Sequence, residues 1–320
     1  MNENFVWAEK YRPEKLSEVI NQKHVVERIK VFVKEKNIPN MIFAGAPGTG
    51  KTTIALCIAY ELYGKNWRQN VLPTNASDER GIDTVRGKIK DFARMKAISE
   101  IPWKIILLDE ADALTQEAQN ALRRTMEIYT DVSRFILVAN YSSRLIEPIQ
   151  SRCAVFRFKA LTEDDVKKFI KRIVEGEKLK ISDDAINTIV YLSEGDLRKV
   201  TNLLQASAVL GEKITEDIVY DVASQAKPDD VKKMLELVLK GKFADGRQIL
   251  QDMMLKQGLS GEDIVREIHR QIYSLDISEE AKVRLIEKVG EYDFRISEGA
   301  NDLIQLEALL AQFLLFSKKV

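Results

Sequence analysis

Lys51 and Thr52 close an eight-residue run, Gly45-Ala46-Pro47-Gly48-Thr49-Gly50-Lys51-Thr52, whose spacing G-x-x-x-x-G-K-[ST] is that of a phosphate-binding loop. Glycines at 45, 48 and 50 let the backbone curl so that its N–H groups point inward at phosphate oxygens. Lys51 supplies a point positive charge for the terminal phosphates, and the Thr52 hydroxyl is placed to ligate Mg²⁺. A second run, Ile105-Ile106-Leu107-Leu108-Asp109-Glu110, reads as a buried strand ending in two carboxylates. Asp109 suits the hydration shell of the same Mg²⁺, opposite Thr52. Glu110 is placed to polarise a water for attack on a γ-phosphate. Asn140 follows the apolar run Ile136-Leu137-Val138-Ala139. Its amide either orients that water or reads the γ-phosphate, or it is a plain turn residue at a strand end. Together these types at these spacings point to hydrolysis of a nucleoside triphosphate.

Two arginines extend the set. Arg152, in Ser151-Arg152-Cys153, is either an ordinary surface cation or an arginine finger reaching across a subunit boundary to a neighbour's ATP. Arg198, in Gly195-Asp196-Leu197-Arg198, falls in the first turn of a helix, where the macrodipole favours acids. That mild local cost favours a phosphate-facing role over decoration.

These groups need a scaffold that brings strand ends together. Five apolar runs, at 41–45, 71–75, 104–109, 134–139 and 154–158, alternate with amphipathic helical stretches, the first over 53–62. The pattern predicts an α/β fold, a mostly parallel sheet with helices on both faces. Phosphate sites in such sheets lie at the carboxyl ends of the strands, so Gly45, Asp109 and Asn140 should converge on one crevice. After residue 161 the period becomes helical. Thr162 caps a helix whose first turn carries Glu163 and Asp164, Ser182 and Thr215 open others, and Pro228 starts the next. No strand is expected beyond about residue 160. Three domains are predicted: an α/β nucleotide-binding domain over 1–161, a helical lid over 162–226, and a helical C-terminal domain over 227–320.

The 49 Lys+Arg balance 49 Asp+Glu, which excludes a global basic field, so a nucleic-acid site must be a local patch. Arg86, Lys90 and Arg94 recur at i, i+4, i+8 and form one such stripe, although most charge runs are solvated faces. The two cysteines, Cys57 and Cys153, have no metal-ligand spacing and suit a reduced, cytoplasmic setting. Asp302, Gln305, Glu307 and Gln312 interrupt the apolar C-terminal stretch, which excludes a membrane span. His24 and His269 are assigned no catalytic role.

The chain resembles the AAA+ ATPases and, more narrowly, the small subunits of replication factor C clamp loaders, of archaeal type. The resemblance rests on Trp7-Ala8-Glu9-Lys10-Tyr11-Arg12-Pro13, Asn75-Ala76-Ser77-Asp78-Glu79-Arg80-Gly81-Ile82, Leu107-Leu108-Asp109-Glu110-Ala111-Asp112, Ser151-Arg152-Cys153 and Gly195-Asp196-Leu197-Arg198-Lys199. It covers the whole chain and implies ATP hydrolysis with Mg²⁺ as cofactor. It further implies that Tyr11, Arg12, Pro13, Val19, Ile20 and Gln22 form the adenine-side wall. From the residues alone, the Trp-Tyr-Pro cluster could equally cap the core. Ala46, Pro47, Thr49 and Thr53 join the ATP contacts with the rest of the loop. Asn75 is implied to hold Glu110 inactive until DNA arrives, and Arg80, Arg86 and Arg144 to contact DNA phosphates without sequence preference.

The implied partners are further small-subunit copies, a large subunit, the PCNA sliding clamp and primer-template DNA, with no membrane. The C-terminal helices would assemble into a collar, with Leu303, Leu306, Leu310, Phe313 and Leu314 as a packing stripe; an intrachain core explains that stripe equally well. Two other readings are a replication initiator or branch-migration motor, and an ATP-binding scaffold without turnover. The first lacks a basic recognition-helix pattern after residue 228. Intact Glu110 and Arg152 speak against the second.

Overall fold

The computed structural model describes residues 6–78, 83, 85–97 and 99–317. The chain divides into two compact units, Met1–Lys213 and Ile214–Val320.

In the first unit, strands β1 (Met41–Ala44), β2 (Val71–Asn75), β3 (Lys104–Asp109), β4 (Ser133–Ala139) and β5 (Ala154–Arg157) form one sheet in the order β2-β3-β4-β1-β5. Every pairing is parallel. The central strands are buried on both faces, which is why they read as unbroken apolar runs instead of alternating ones. Ile105 and Leu107 pack with Phe43, Ile136 and Val138 on one face. Ile106 and Leu108 pack with Ile42, Phe135 and Leu137 on the other.

Register aligns the strand ends. Ala44 pairs with Ala139, Leu108 with Leu137 and Asn75 with Asp109. Gly45, Asp109 and Asn140 therefore emerge along one edge of the sheet, as the run endings predict. β4 lies between β1 and β3, so the crevice opens where the chain reverses direction across the sheet. Helix α1 (Lys51–Tyr63) follows β1, and helix α2 (Gln116–Ile128) lies between β3 and β4.

Beyond the sheet, helices α3 (Glu163–Glu177), α4 (Asp183–Ser193) and α5 (Leu197–Leu210) complete the unit. Their starts follow local chemistry. Thr162 and Asp165 make a reciprocal capping box on α3. Ser182 caps α4, and Asp196 caps α5 by accepting the N–H groups of Arg198 and Lys199. Such caps contribute about 1 kcal/mol each. The expectation of no strand beyond residue 160 is corrected by two short ones, Lys180–Ile181 and Lys213–Ile214. Two residues are too few to show a period-two pattern.

The second unit is helical. After Glu216–Ala223 come Pro228–Leu239, Phe243–Leu255, Gly261–Ile272, Glu279–Ser297 and Asp302–Ser317. One core joins the last five through residues such as Leu235, Leu250, Ile268, Leu285 and Phe313. In the stripe on the last helix, Leu306, Leu310 and Phe313 are fully buried within the chain, with Leu303 and Leu314 packed beside them. Intrachain packing thus accounts for the stripe. No helix among the described residues is long and apolar enough to cross a membrane.

Candidate active site

The phosphate loop bends off β1 and delivers Lys51 as the first residue of α1. The Lys51 ammonium donates to the carbonyls of Gly45 and Ala46, each at 2.7 Å, and to Asn140 Oδ1 at 3.2 Å. Burial pushes its pKa below the ordinary lysine value, Asp109 pulls it back up, and the Arg198 charge lowers it again. Next to it, Thr52 Oγ1 donates to Asp109 Oδ2 at 2.7 Å. Two hard oxygen donors from different elements thus meet in one place, the donor chemistry that suits Mg²⁺.

Glu110 is exposed and has a left-handed backbone, φ 52°, ψ 38°. For a non-glycine residue this conformation costs about 1–2 kcal/mol, and such strain clusters at functional positions. The turn is held by Asp109 Oδ1, which accepts the Glu110 N–H at 3.0 Å, and by the Ala113 N–H donating to Glu110 O at 2.8 Å. Asp112 ties the neighbouring strand end, its Oδ2 accepting the N–H groups of Asn140 and Tyr141 at 3.2 Å each.

A cleft of 390 Å³ runs over this row of groups. Of the sequence-predicted residues it brings together Tyr11, Arg12, Pro13, Val19, Ile20, 47–53, Asp109, Glu110, Asn140 and Arg198. One end carries the loop, Lys51 and the carboxylates. The lining also includes Pro13, Val19, Ile20 and Phe169, an apolar set that cannot solvate phosphate but has the chemistry to pack against a flat base. A larger cavity of 590 Å³ in the C-terminal unit, lined by Leu239, Leu275, Ile277 and Phe316 among others, has no phosphate loop or strand-end carboxylates.

Other predicted residues lie elsewhere. Gly45 and Ala46 sit behind the lining and serve as acceptors for Lys51. Gln22 is fully buried, and its amide exchanges two hydrogen bonds with the Lys159 backbone, bracing the chain after β5. Asn75 Oδ1 accepts the N–H and the hydroxyl of Ser77, at 3.0 and 3.1 Å, and no hydrogen bond joins Asn75 to Glu110 among the described residues. Arg152 is outside its own chain's cleft, exposed, paired with Glu127 Oε1 at 2.7 Å and donating to Pro148 O at 2.8 Å. Arg144 is exposed and stacks over Tyr141. Arg80 lies outside the described residues, as does the Arg86 side chain.

Sequence reasoning missed Asp112, Asp196, Phe169, Thr201 and Asn202. The last three line the cleft from α3 and α5. Asp196 was read only as part of a helix start; that it caps α5 and packs against the loop emerges from the structure. A Cβ at Gly48 would fall 2.1 Å from Asp196 Oδ1 and 2.6 Å from its Cα. With φ at 67°, Gly48 is required both by its backbone conformation and by that approach.

Two family profiles match the chain: the ATPase family associated with various cellular activities (AAA) over residues 41–161, and the replication factor C C-terminal domain over residues 226–312. The replication factor C small subunit of Methanococcus vannielii is 53% identical over 306 residues, covering 96% of this chain and 97% of the relative. That of Archaeoglobus fulgidus is 51% identical over 318 residues, covering 99% and 100%. Among solved structures, the Thermotoga maritima RuvB Holliday junction branch migration motor aligns with a TM-score of 0.54 at 22% identity, covering 77% of this chain and 88% of that one. The last likeness concerns the fold.

Proposed function

Since the chain belongs to the replication factor C small-subunit family, and is thereby an ATPase subunit of a clamp loader, we propose how its own residues carry out that activity. The observation that supports the reading best is the convergence of Lys51, Thr52, Asp109, Glu110, Asn140 and Arg198 on one cleft.

Loop N–H groups and the Lys51 ammonium bind the β- and γ-phosphates, which take the place of the Gly45 and Ala46 carbonyls as its partners. Thr52 and Asp109 hold Mg²⁺, which when bound neutralises charge on the phosphate oxygens. Glu110 accepts a proton from the attacking water while Asn140 orients it. Arg198 contacts the phosphates from α5. Tyr11, Arg12, Pro13, Val19 and Ile20 enclose the base. Arg152 leaves Glu127 and lends its guanidinium to the nucleotide of an adjoining subunit. Its exposure and its distance from its own cleft's lining support a role in trans.

Bound ATP would bring subunits into a spiral with a large subunit, engage the PCNA clamp and admit primer-template DNA. Asn75 would have to turn from Ser77, its partner here, to restrain Glu110 until DNA arrives, and Arg80, Arg86 and Arg144 contact DNA phosphates. The division into residues 1–161, 162–226 and 227–320 is supported by the AAA match ending at 161 and the C-terminal match starting at 226. A cytosolic protein of archaeal type follows from the same reading.

The test is phosphate release by the reconstituted loader with PCNA and primed DNA. Glu110→Gln keeps ATP binding and loses roughly 10²–10⁴-fold in turnover, the usual contribution of a general base; full residual hydrolysis rejects the assignment. Arg152→Ala lowers turnover by about 10³-fold at saturating ATP in the assembly, and unchanged turnover there removes the finger. Hydrolysis indifferent to both clamp and DNA rejects the proposed partners.

A further inference from the structure

The base-end wall of the cleft is not free-standing. Tyr11 lines the cleft, yet only 9% of it is exposed, and its hydroxyl donates to Glu177 Oε1 at 2.7 Å. The Lys10 ammonium donates to the same oxygen at 2.6 Å. Glu177 is the last residue of α3. Beside it, a Cβ at Gly176 would come within 2.3 Å of the Tyr11 hydroxyl oxygen, so a larger residue there would displace that hydroxyl. A second tie joins the Trp7 N–H to Gln205 Oε1 on α5 at 3.0 Å.

The far end of the same segment is held by a different element of the same unit. The Cys57 thiol donates to Pro13 O at 3.2 Å, and the Leu16 N–H donates to Glu61 Oε1 at 2.8 Å. Both partners lie on α1, the helix that begins at the phosphate loop. Residues 7–16 thus bridge α3 and α5 on one side and the phosphate-loop helix on the other.

We propose that Glu177, which lines no part of the cleft, is a positioning residue for recognition of the nucleotide base. Through the Tyr11 hydroxyl it fixes the ring that closes the base end. Occupancy by a base and the posture of α3 and α5 then become one equilibrium, because a ligand that presses on the wall also presses on the helices tied to it. The proposal rests on the reading that Tyr11 stands at the base end. The Tyr11 hydroxyl donates to an ionised carboxylate in a part-buried setting, which makes this bond stronger than one between neutral groups.

The experiment measures Kd for ATP and for inorganic tripolyphosphate with the full-length protein, alongside the melting temperature. Glu177→Ala should weaken ATP roughly tenfold, as expected for losing a hydrogen bond to a charged group, and leave tripolyphosphate unchanged. Glu177→Gln, which keeps an acceptor oxygen, should restore most of the affinity. Tyr11→Phe should weaken ATP in the same way, short of the part of the Glu177→Ala loss that runs through Lys10, and the double variant should add nothing beyond Glu177→Ala, since the shared hydrogen bond is already gone. Equal weakening of ATP and tripolyphosphate by Glu177→Ala, or a lower melting temperature with ATP affinity intact, overturns the proposal in favour of a purely structural tie. Tyr11→Ala separates the two layers. Unaltered ATP affinity there removes the base-end assignment and the proposal with it. Weakened ATP with Glu177→Ala unaffected removes the positioning role alone.

Discussion

At the phosphate end of the cleft, the binding groups are backbone N–H groups of one tight loop and the two side chains at the start of the helix that follows it. At the base end, the wall is a short segment held by single hydrogen bonds to residues 166 and 198 positions away in the chain. The first arrangement is rigid because backbone geometry cannot be altered without rebuilding the loop. The second is adjustable because each tie is one replaceable contact.

Two perturbations probe this contrast. The larger acts where the rigid end meets α5. Gly48→Ala forces a left-handed backbone, costing about 1–2 kcal/mol, and drives a Cβ into Asp196. Nucleotide-titration experiments should show ATP affinity reduced at least about tenfold, the equivalent of about 1.4 kcal/mol. Near-native affinity would mean that the loop yields as readily as the wall, and the contrast would fail.

The smaller perturbation is pH. Burial, with the hydrogen bond to Glu177, pushes the Tyr11 phenol up to about 12 from 10.0, while the nearby Arg172 charge pulls it down. The unfolded phenol ionises first, so between pH 10 and about 12 the unfolded state holds fewer protons and stability falls as pH rises. The contribution is complete below pH 10 and lost as the folded phenol ionises. Phenolate absorbance should show one tyrosine titrating near pH 12 in the wild type and missing from Tyr11→Phe; its appearance near 10 would mean that the wall is loose.

Much of the fold was legible because buried parallel strands leave unbroken apolar runs, and all five runs became strands of the sheet. Helix starts at Thr162, Ser182 and Thr215 were legible for an equally local reason: a capping side chain bonds N–H groups two or three residues on. The stripe on the last helix was ambiguous, since helical spacing of leucines is the same whether the partner is this chain or another. Only the packing of Leu306, Leu310 and Phe313 into the second unit resolved it. Gln22 was placed in the adenine wall by resemblance, and its two bonds to Lys159 are invisible without the long-range fold.

What the sequence alone determined was chemistry that resides in neighbours: the loop, the carboxylates at a strand end, the caps. Those features depend on dihedral angles and hydrogen bonds spanning a few residues, so their residue types betray them. Tertiary structure alone decided that Asp196 abuts Gly48, that Asp112 holds Asn140, and that Glu177 anchors Tyr11. Such contacts depend on how separate elements pack, and a lone Asp or Glu looks the same whether it faces water or fixes the wall of a site.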